Sequence, residues 1–375
     1  MINLGINKFY IITTSDTPDN VVLRHASFIK STGLDVVFVF PYRSNIKNFK
    51  KFYLNYKIIR LNFKFNTSTT LNYLRSNILL LIYVTCNFLF KREAKNFLVI
   101  GLPCTLACFF LKVRNVNICT LVNDNFSASY NISKVIYYIL RFFESFIFKF
   151  ISDYCIFPDR CRYKLLGSPR IKKVYYIPNV LPPSLKSLYY KGSKANKLIV
   201  LFCGWLVNTR GLELLSTILE KTNDKIEFIL VGSGDQNLID SLTNKNRIKY
   251  IGHLARDHIL NLMTKVDINI AFYNPNILIN RFALPQKIYD SLMVGCPLLV
   301  NSEVKFSGKL LKSKSCFAIK YFDVFKICSK LNELVKNKKP LLKMSKTMQT
   351  YYKQHINQQK IELIGQNLYR QIVKY

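Results

Sequence analysis

From one end of the chain to the other, short apolar, β-branched runs alternate with longer stretches of helical character, and this alternation restricts the fold more than any single residue does. It is the pattern of parallel strands joined by crossover helices. The expected class is α/β. In the first half, strands are expected at Phe9 to Thr13, Asp35 to Phe40, Ile58 to Phe63, Phe97 to Ile100, Ile118 to Val122, Tyr154 to Phe157 and Val174 to Ile177. Near Pro178 the pattern gives way to Pro182, Pro183 and Ser184 and then Lys191 to Lys194, which is linker composition. The alternation then restarts, with strands at Leu198 to Cys203, Ile226 to Val231, Ile248 to Tyr250, Ile268 to Phe272 and Pro297 to Val300, and helices opening near Arg210, Gln236, Ala255 and Pro285. A Lys-rich, mainly helical end runs from Asp323 to Tyr375. No short fixed period recurs, so two Rossmann-like halves are expected and a solenoid is not.

Composition narrows the chemistry. With 375 residues, half of them hydrophobic, the chain can bury two full-sized cores. Its 55 Lys and Arg against 21 Asp and Glu give a formal +34, which draws phosphate-bearing partners: nucleic acid, anionic lipid, or nucleotide and phosphosugar ligands. A+T-rich coding would produce the same Lys, Asn, Ile, Phe and Tyr surplus. The ten cysteines include no CxxC pair and no histidines at zinc-ligand spacing, so they read as reduced, mostly buried thiols. Met1 to Tyr10 lacks the pattern of a cleaved signal peptide, and the apolar runs Ile78 to Phe90 and Val135 to Ile151 are too short or too charged to span a bilayer. A cytoplasmic location is the expectation. His253 and His258, five apart, would not share a helical face as a metal pair, and His25 reads as a packed or surface histidine.

Three segments carry the chemical signal. The first is Leu284-Pro285-Gln286-Lys287-Ile288-Tyr289-Asp290 through Gly295-Cys296-Pro297, where Pro285 suits a first helical position, Gly295 a C-terminal cap, and Pro297 a stop. The free amides at such a helix start attract an anion, Lys287 adds a positive charge, and Asp290 has the acceptor capacity to hold ribose hydroxyls. An ordinary capped helix with a Lys and Asp pair fits the same residues. The second is Val200 to Leu212, a strand ending at Gly204 before a short loop and Arg210-Gly211, where a guanidinium could clamp a diphosphate. The third is Phe228 to Asp235, a strand running into the turn Gly232-Ser233-Gly234, which lacks full dinucleotide-fingerprint spacing.

These segments, taken in order with Ile177-Pro178-Asn179, Tyr250-Ile251-Gly252-His253 and Asp267, resemble the GT-B glycosyltransferases, and within them glycosyltransferase family 4. The likeness is fainter before Ile177, where Ser15 to Asp19, Arg24, Gly33 to Val36 and Glu144 to Phe157 carry it. It implies two Rossmann-like domains facing across a cleft: an acceptor domain over 1–181, a nucleotide-sugar donor domain over 182–352, and a last helix over 353–375 packing back on the first. Arg210 and Lys287 would neutralise the donor diphosphate and Asp290 would hold the ribose. Gly204, Gly211, Gly232, Gly234, Gly252, His253 and Leu284 would shape the pocket. The resemblance also implies retention of anomeric configuration, no metal and no further cofactor; no DxD pair is found. The acceptor would be a surface polysaccharide, a lipopolysaccharide or a lipid-linked glycan.

The chain departs from the family at telling places. Asp290 replaces the usual Glu, Phe282 stands where a second carboxylate is common, and Trp205 occupies the frequent Arg position after Gly204. Thr14 to Asn20 replaces a Gly-rich loop, and Asn123 a common histidine, leaving Asp124 as the nearest polar candidate for a catalytic role. Residues 41–100 carry 11 Lys and Arg, from Arg43 to Lys95, against Glu93 alone. That surface, with the aromatic stretch Tyr137 to Phe150, suits the anionic inner face of a plasma membrane; a solvated face and a helix packed on two sides suit it equally. Two rival functions remain at this stage. One is a non-catalytic basic binding protein, although no helix-turn-helix, RNP, KH or zinc-finger pattern supports nucleic acid as its ligand. The other is a different GT-B enzyme such as a sugar-nucleotide epimerase.

Overall fold

The computed structural model describes residues 8–15, 20–41, 56–61, 63, 69–182 and 188–374. Outside them lie Met1 to Asn7, Asp16 to Asp19, Pro183, Ser184 and five of the basic residues noted above, Arg43, Lys47, Lys50, Lys51 and Lys64. The chain divides into two compact units, Met1–Leu181 with Gln358–Tyr375, and Pro182–Asn357.

The first unit holds a seven-stranded sheet. Its elements are β1 (Lys8–Ile12), α1 (Asn20–Lys30), β2 (Asp35–Pro41), β3 (Lys57–Leu61), α2 (Thr70–Phe88), β4 (Asn96–Ile100), α3 (Gly101–Ala107), β5 (Asn117–Leu121), α4 (Lys134–Ile151), β6 (Tyr154–Phe157), α5 (Arg160–Leu165) and β7 (Lys173–Tyr176). The strand order is β3-β2-β1-β4-β5-β6-β7 and every neighbouring pair is parallel. Parallel strands are covered on both faces, so runs such as Phe9-Tyr10-Ile11-Ile12 and Phe97-Leu98-Val99 are buried at every position.

The second unit repeats the plan with six strands: β8 (Leu198–Leu206), α6 (Leu215–Lys221), β9 (Ile226–Gly234), α7 (Gln236–Thr243), β10 (Ile248–Gly252), α8 (Arg256–Met263), β11 (Ile268–Ala271), α9 (Gln286–Val294), β12 (Leu298–Asn301), α10 (Lys305–Lys312), β13 (Phe317–Ile319), α11 (Val324–Lys336) and α12 (Lys339–His355). The order is β10-β9-β8-β11-β12-β13, again wholly parallel. Its core gathers Val200, Phe202, Phe228, Leu230, Ile270 and Phe272. Asp267, just before β11, is buried and accepts from the Ile199 amide at 2.8 Å and from Lys338 Nζ at 2.9 Å, so it ties the entry of β8 to α12's start.

The last described helix, α13 (Gln358–Lys374), returns to the first unit and packs on α1. Tyr369 is wholly buried there, edge-on to Phe9 and 2.9 Å from His25 Nδ1 through its hydroxyl. The Gly365 Cα lies so close to Phe28 that a Cβ would fall 2.3 Å from the ring. His25 is therefore a core residue, and burial holds its imidazole well below the ordinary range, with Arg24 adding to the effect.

Strand ends differ from the sequence expectation in three informative ways. β8 and β9 run on to Leu206 and Gly234, pairing Gly204 with Gly232, Trp205 with Ser233 and Leu206 with Gly234, so the expected GSG turn is strand. The helix expected from Arg210 is two short 3-10 turns, Asn208–Arg210 and Leu212–Leu214, and the α-helix opens only at Leu215. β13, three half-buried residues at the sheet edge, is an additional strand. Eight of the ten cysteines are buried and all are free thiols. No described helix is long and apolar enough to cross a membrane.

Candidate functional site

In an open parallel sheet, the crevice for a ligand forms at the carboxyl ends of the two strands where chain order reverses, because the loops from those strands diverge. In the second unit those strands are β8 and β11. The loop after β8 supplies Arg210, and the loop after β11 supplies Tyr273, Asn280 and, at the start of α9, Lys287.

These side chains converge. The Arg210 guanidinium lies 4.8 Å above the centre of the Tyr273 ring and donates from Nη1 to Asn280 Oδ1 at 2.5 Å. Asn280 is itself buried and donates back to the Asn274 carbonyl at 2.9 Å, which fixes the fork of the arginine. Lys287 Nζ lies 5.7 Å from the centre of the same Tyr273 ring and 5.6 Å from that of Phe202. Burial pushes the Lys287 ammonium below its ordinary range; the Cys203 thiol opposes this and the Arg210 charge adds to it. Among the described residues no carboxylate pairs with Lys287. Two cations are thus gathered on one aromatic ring.

The glycines explain how the backbone permits this. At Gly204, with φ +111°, a Cβ would stand 3.6 Å from Lys287 Cε, so the strand passes close beside the lysine stem. Gly211 sits against Phe272, where a Cβ would be 2.7 Å from that residue's Cβ. Gly232 and Gly234 are required by the β8–β9 ribbon itself: added Cβ atoms would fall 1.8 Å from the Gly204 carbonyl oxygen and 1.9 Å from that of Leu206. Tyr250 donates to the Gly232 carbonyl at 2.9 Å and steadies the ribbon. Gly252, at a β10 register shift, has open space around it, and His253 beyond it is exposed. The ribbon lifts Trp205, the chain's one tryptophan, to 62% exposure.

α9 begins at Gln286, with Pro285 as its N-cap and no side chain capping the first amides. Gly295 ends it in the left-handed region, φ +82°, as its position suggests. Leu284 is half-buried just before the helix. Asp290 is buried and does not pair with Lys287. Instead it accepts from Arg256 at 2.7 Å on Oδ1 and from Gln286 Nε2 at 3.0 Å, while its Oδ2 meets Arg256 Nε at 3.4 Å. Phe282 lies beneath Lys305 Nζ, 4.1 Å from the ring centre.

Sequence reading missed Arg256, Asn280 and Tyr273. The first opens α8 after an uncapped Ala255 and is visible in sequence only as a surface helix residue; the other two sit in a loop without a regular pattern. Asp124 lies in the first unit, in the loop after β5, where Arg162 Nη1 donates both to its carboxylate and to the Asn123 carbonyl. Its side chain is 66% exposed.

No family model matches the sequence, and no curated protein matches it. The fold is the GT-B fold. Sucrose-phosphate synthase from Thermosynechococcus elongatus superposes with a TM-score of 0.75 at 13% identity, over 98% of this chain and 99% of that one. Anabaena HepE, solved with UDP and glucose, gives 0.71 at 14% identity, over 98% and 100%. WaaG, a glycosyltransferase involved in lipopolysaccharide biosynthesis, gives 0.69 at 11% identity, over 97% and 99%.

Proposed function

We propose that this chain is a glycosyltransferase of the family 4 type that moves a sugar from a nucleoside-diphosphate sugar to a surface-polysaccharide, lipopolysaccharide or lipid-linked glycan acceptor. The observation that carries the reading is the convergence of Arg210 and Lys287 on Tyr273 at the strand-order reversal of the second sheet. Breaking the anomeric bond leaves negative charge on the departing diphosphate, and fixed cations with free helix amides stabilise that charge as it grows. Because the cations are already in place and one is partly desolvated, little reorganisation accompanies the reaction. This supports a metal-independent leaving group, and the family likeness favours retention of configuration. Asp290 Oδ2 keeps acceptor capacity for a ribose hydroxyl while Arg256 pairs with the same carboxylate. HepE and other structural neighbours bound to UDP support a uridine donor over other bases.

The test is a thermal-shift panel of UDP, GDP, ADP and their sugars, with Trp205 emission as a second readout. A donor nucleotide stabilises the wild type, and Lys287→Ala and Arg210→Ala each weaken its binding by about 10²-fold, the scale for removing one preorganised charge partner. Equal stabilisation of wild type and both variants would count against the site.

A further inference from the structure

The flank of the second unit carries a groove of about 730 Å³ between the end of α6 and the length of α11. Phe325, Ser329, Asn332 and Lys336 line it from α11, and their spacing by three and four residues sets them in one stripe along the helix. Lys221, the last residue of α6, lines the same groove. The rise of the helix separates Phe325 from Lys336 by roughly 16 Å, so the groove suits an extended ligand and not a single small ring.

Both ends of α11 are fastened to the sheet. Just before it, the Tyr321 hydroxyl donates to Glu213 at 2.5 Å and lies 3.3 Å from the Asn208 carbonyl, in the segment after β8 that also carries Arg210. Just after it, Lys338 Nζ donates to the Lys197 carbonyl at 2.7 Å, at the entry to β8. The stripe therefore starts on the Arg210 side of the sheet, at Phe325, and ends at the opposite edge, at Lys336.

Its lining combines a stacking platform, neutral hydrogen-bonding groups and positive charge. Phe325 is 78% exposed, so its ring is open to the C–H face of a sugar. The Asn223 amide donates to Asn332 Oδ1 at 2.8 Å, which commits the side-chain oxygen and leaves the NH2 as the donor end. The Ser329 hydroxyl is exposed one turn away. Glu333 pairs with Lys330 at 2.5 Å, whereas among the described residues no carboxylate pairs with Lys221 or Lys336. With one aromatic ring, and these cations at the far end, the groove lacks the repeated stacking and continuous basic track of a nucleic-acid channel. We propose that the α6–α11 groove binds an acidic oligosaccharide, with a sugar ring on Phe325 and anionic groups on Lys221 and Lys336. The choice of a saccharide rests on the glycosyl-transfer reading; the sign of its charge rests on the two lysines.

Calorimetric titration of the full chain with a galacturonic acid hexamer, in the absence of nucleotide, tests this against a neutral glucose hexamer and a thymidine hexanucleotide. The acidic hexamer should bind at least about tenfold more tightly than either comparator. Phe325→Ala and Lys221→Ala/Lys336→Ala should each weaken that binding by about tenfold, the scale of one aromatic contact or charged hydrogen bond, while melting at the wild-type temperature. Absence of binding, equal binding of the neutral hexamer, or tighter binding of the hexanucleotide would each overturn the proposal. So would an affinity that neither variant changes, since that marks only general attraction to a +34 chain. Lys287→Ala should leave the affinity for the acidic hexamer as it is, and Phe325→Ala should keep the nucleotide-induced thermal shift, so either site can fail without the other.

Discussion

The two units present the same topological position in opposite chemical states. In the second, chain order reverses between β8 and β11, and the loops there deliver Arg210 and Lys287 to one aromatic ring. In the first, it reverses between β1 and β4, where the described residues Thr13 to Ser15 and Gly101 to Ala107 include no cation. Instead Cys104 lies buried there, its thiol pushed up to about 12 by burial. Topology supplies a crevice twice; among the described residues, side chains bring two cations together at only one of the two. The units also stabilise themselves differently. The second uses direct backbone approach at Gly232 and Gly234, the first the packing of a returning helix through Tyr369 against His25 and Phe9.

The strongest way to break this contrast is a pair of glycine substitutions. Gly232→Ala places a methyl group against the Gly204 carbonyl, a backbone contact that cannot yield, so the second unit should lose more than about 4 kcal/mol or fail to fold. Gly33→Ala in the first unit meets nothing within 4 Å and pays only for its φ of +85°, roughly 1 to 2 kcal/mol. Equal losses in chemical denaturation would erase the distinction. Next in size is Arg256→Ala, which strands Asp290 as an unpaired buried charge; urea unfolding should show a loss of about 3 to 5 kcal/mol, largely recovered by adding Asp290→Asn.

The smallest effect concerns pH and sharpens the picture of the first unit. Because the folded state holds His25 neutral, the unfolded chain binds more protons below the ordinary imidazole value of 6.5. Stability from this residue is complete above that value and is lost progressively as pH falls beneath it. His25→Gln should flatten the decline in melting temperature between pH 7 and pH 5, by on the order of 1 kcal/mol.

Much of this was legible beforehand. All seven strands of the first sheet and five of the second are visible as apolar runs, the central ones because strands buried on both faces cannot hide polar residues and the edge strands β3, β7 and β10 through their length of four or five residues. β13 was not, since three half-buried residues at an edge leave no such run. Arg210 and Lys287 were legible from their places after a strand and at a helix start, and the structure brings them together. Asp290's partner was not, because Arg256 lies 34 residues away and no local pattern links the two. The GSG segment misled for a physical reason: glycine suits turns, yet here it serves strands too close for any side chain.

The returning helix sets an order of assembly. α13 supplies Tyr369 to His25 and Phe9, yet it is translated after every residue of the second unit. On the ribosome, Pro182–Asn357 can close its sheet while the earlier-made half still lacks a wall of its core. The portion synthesised first is thus the portion finished last.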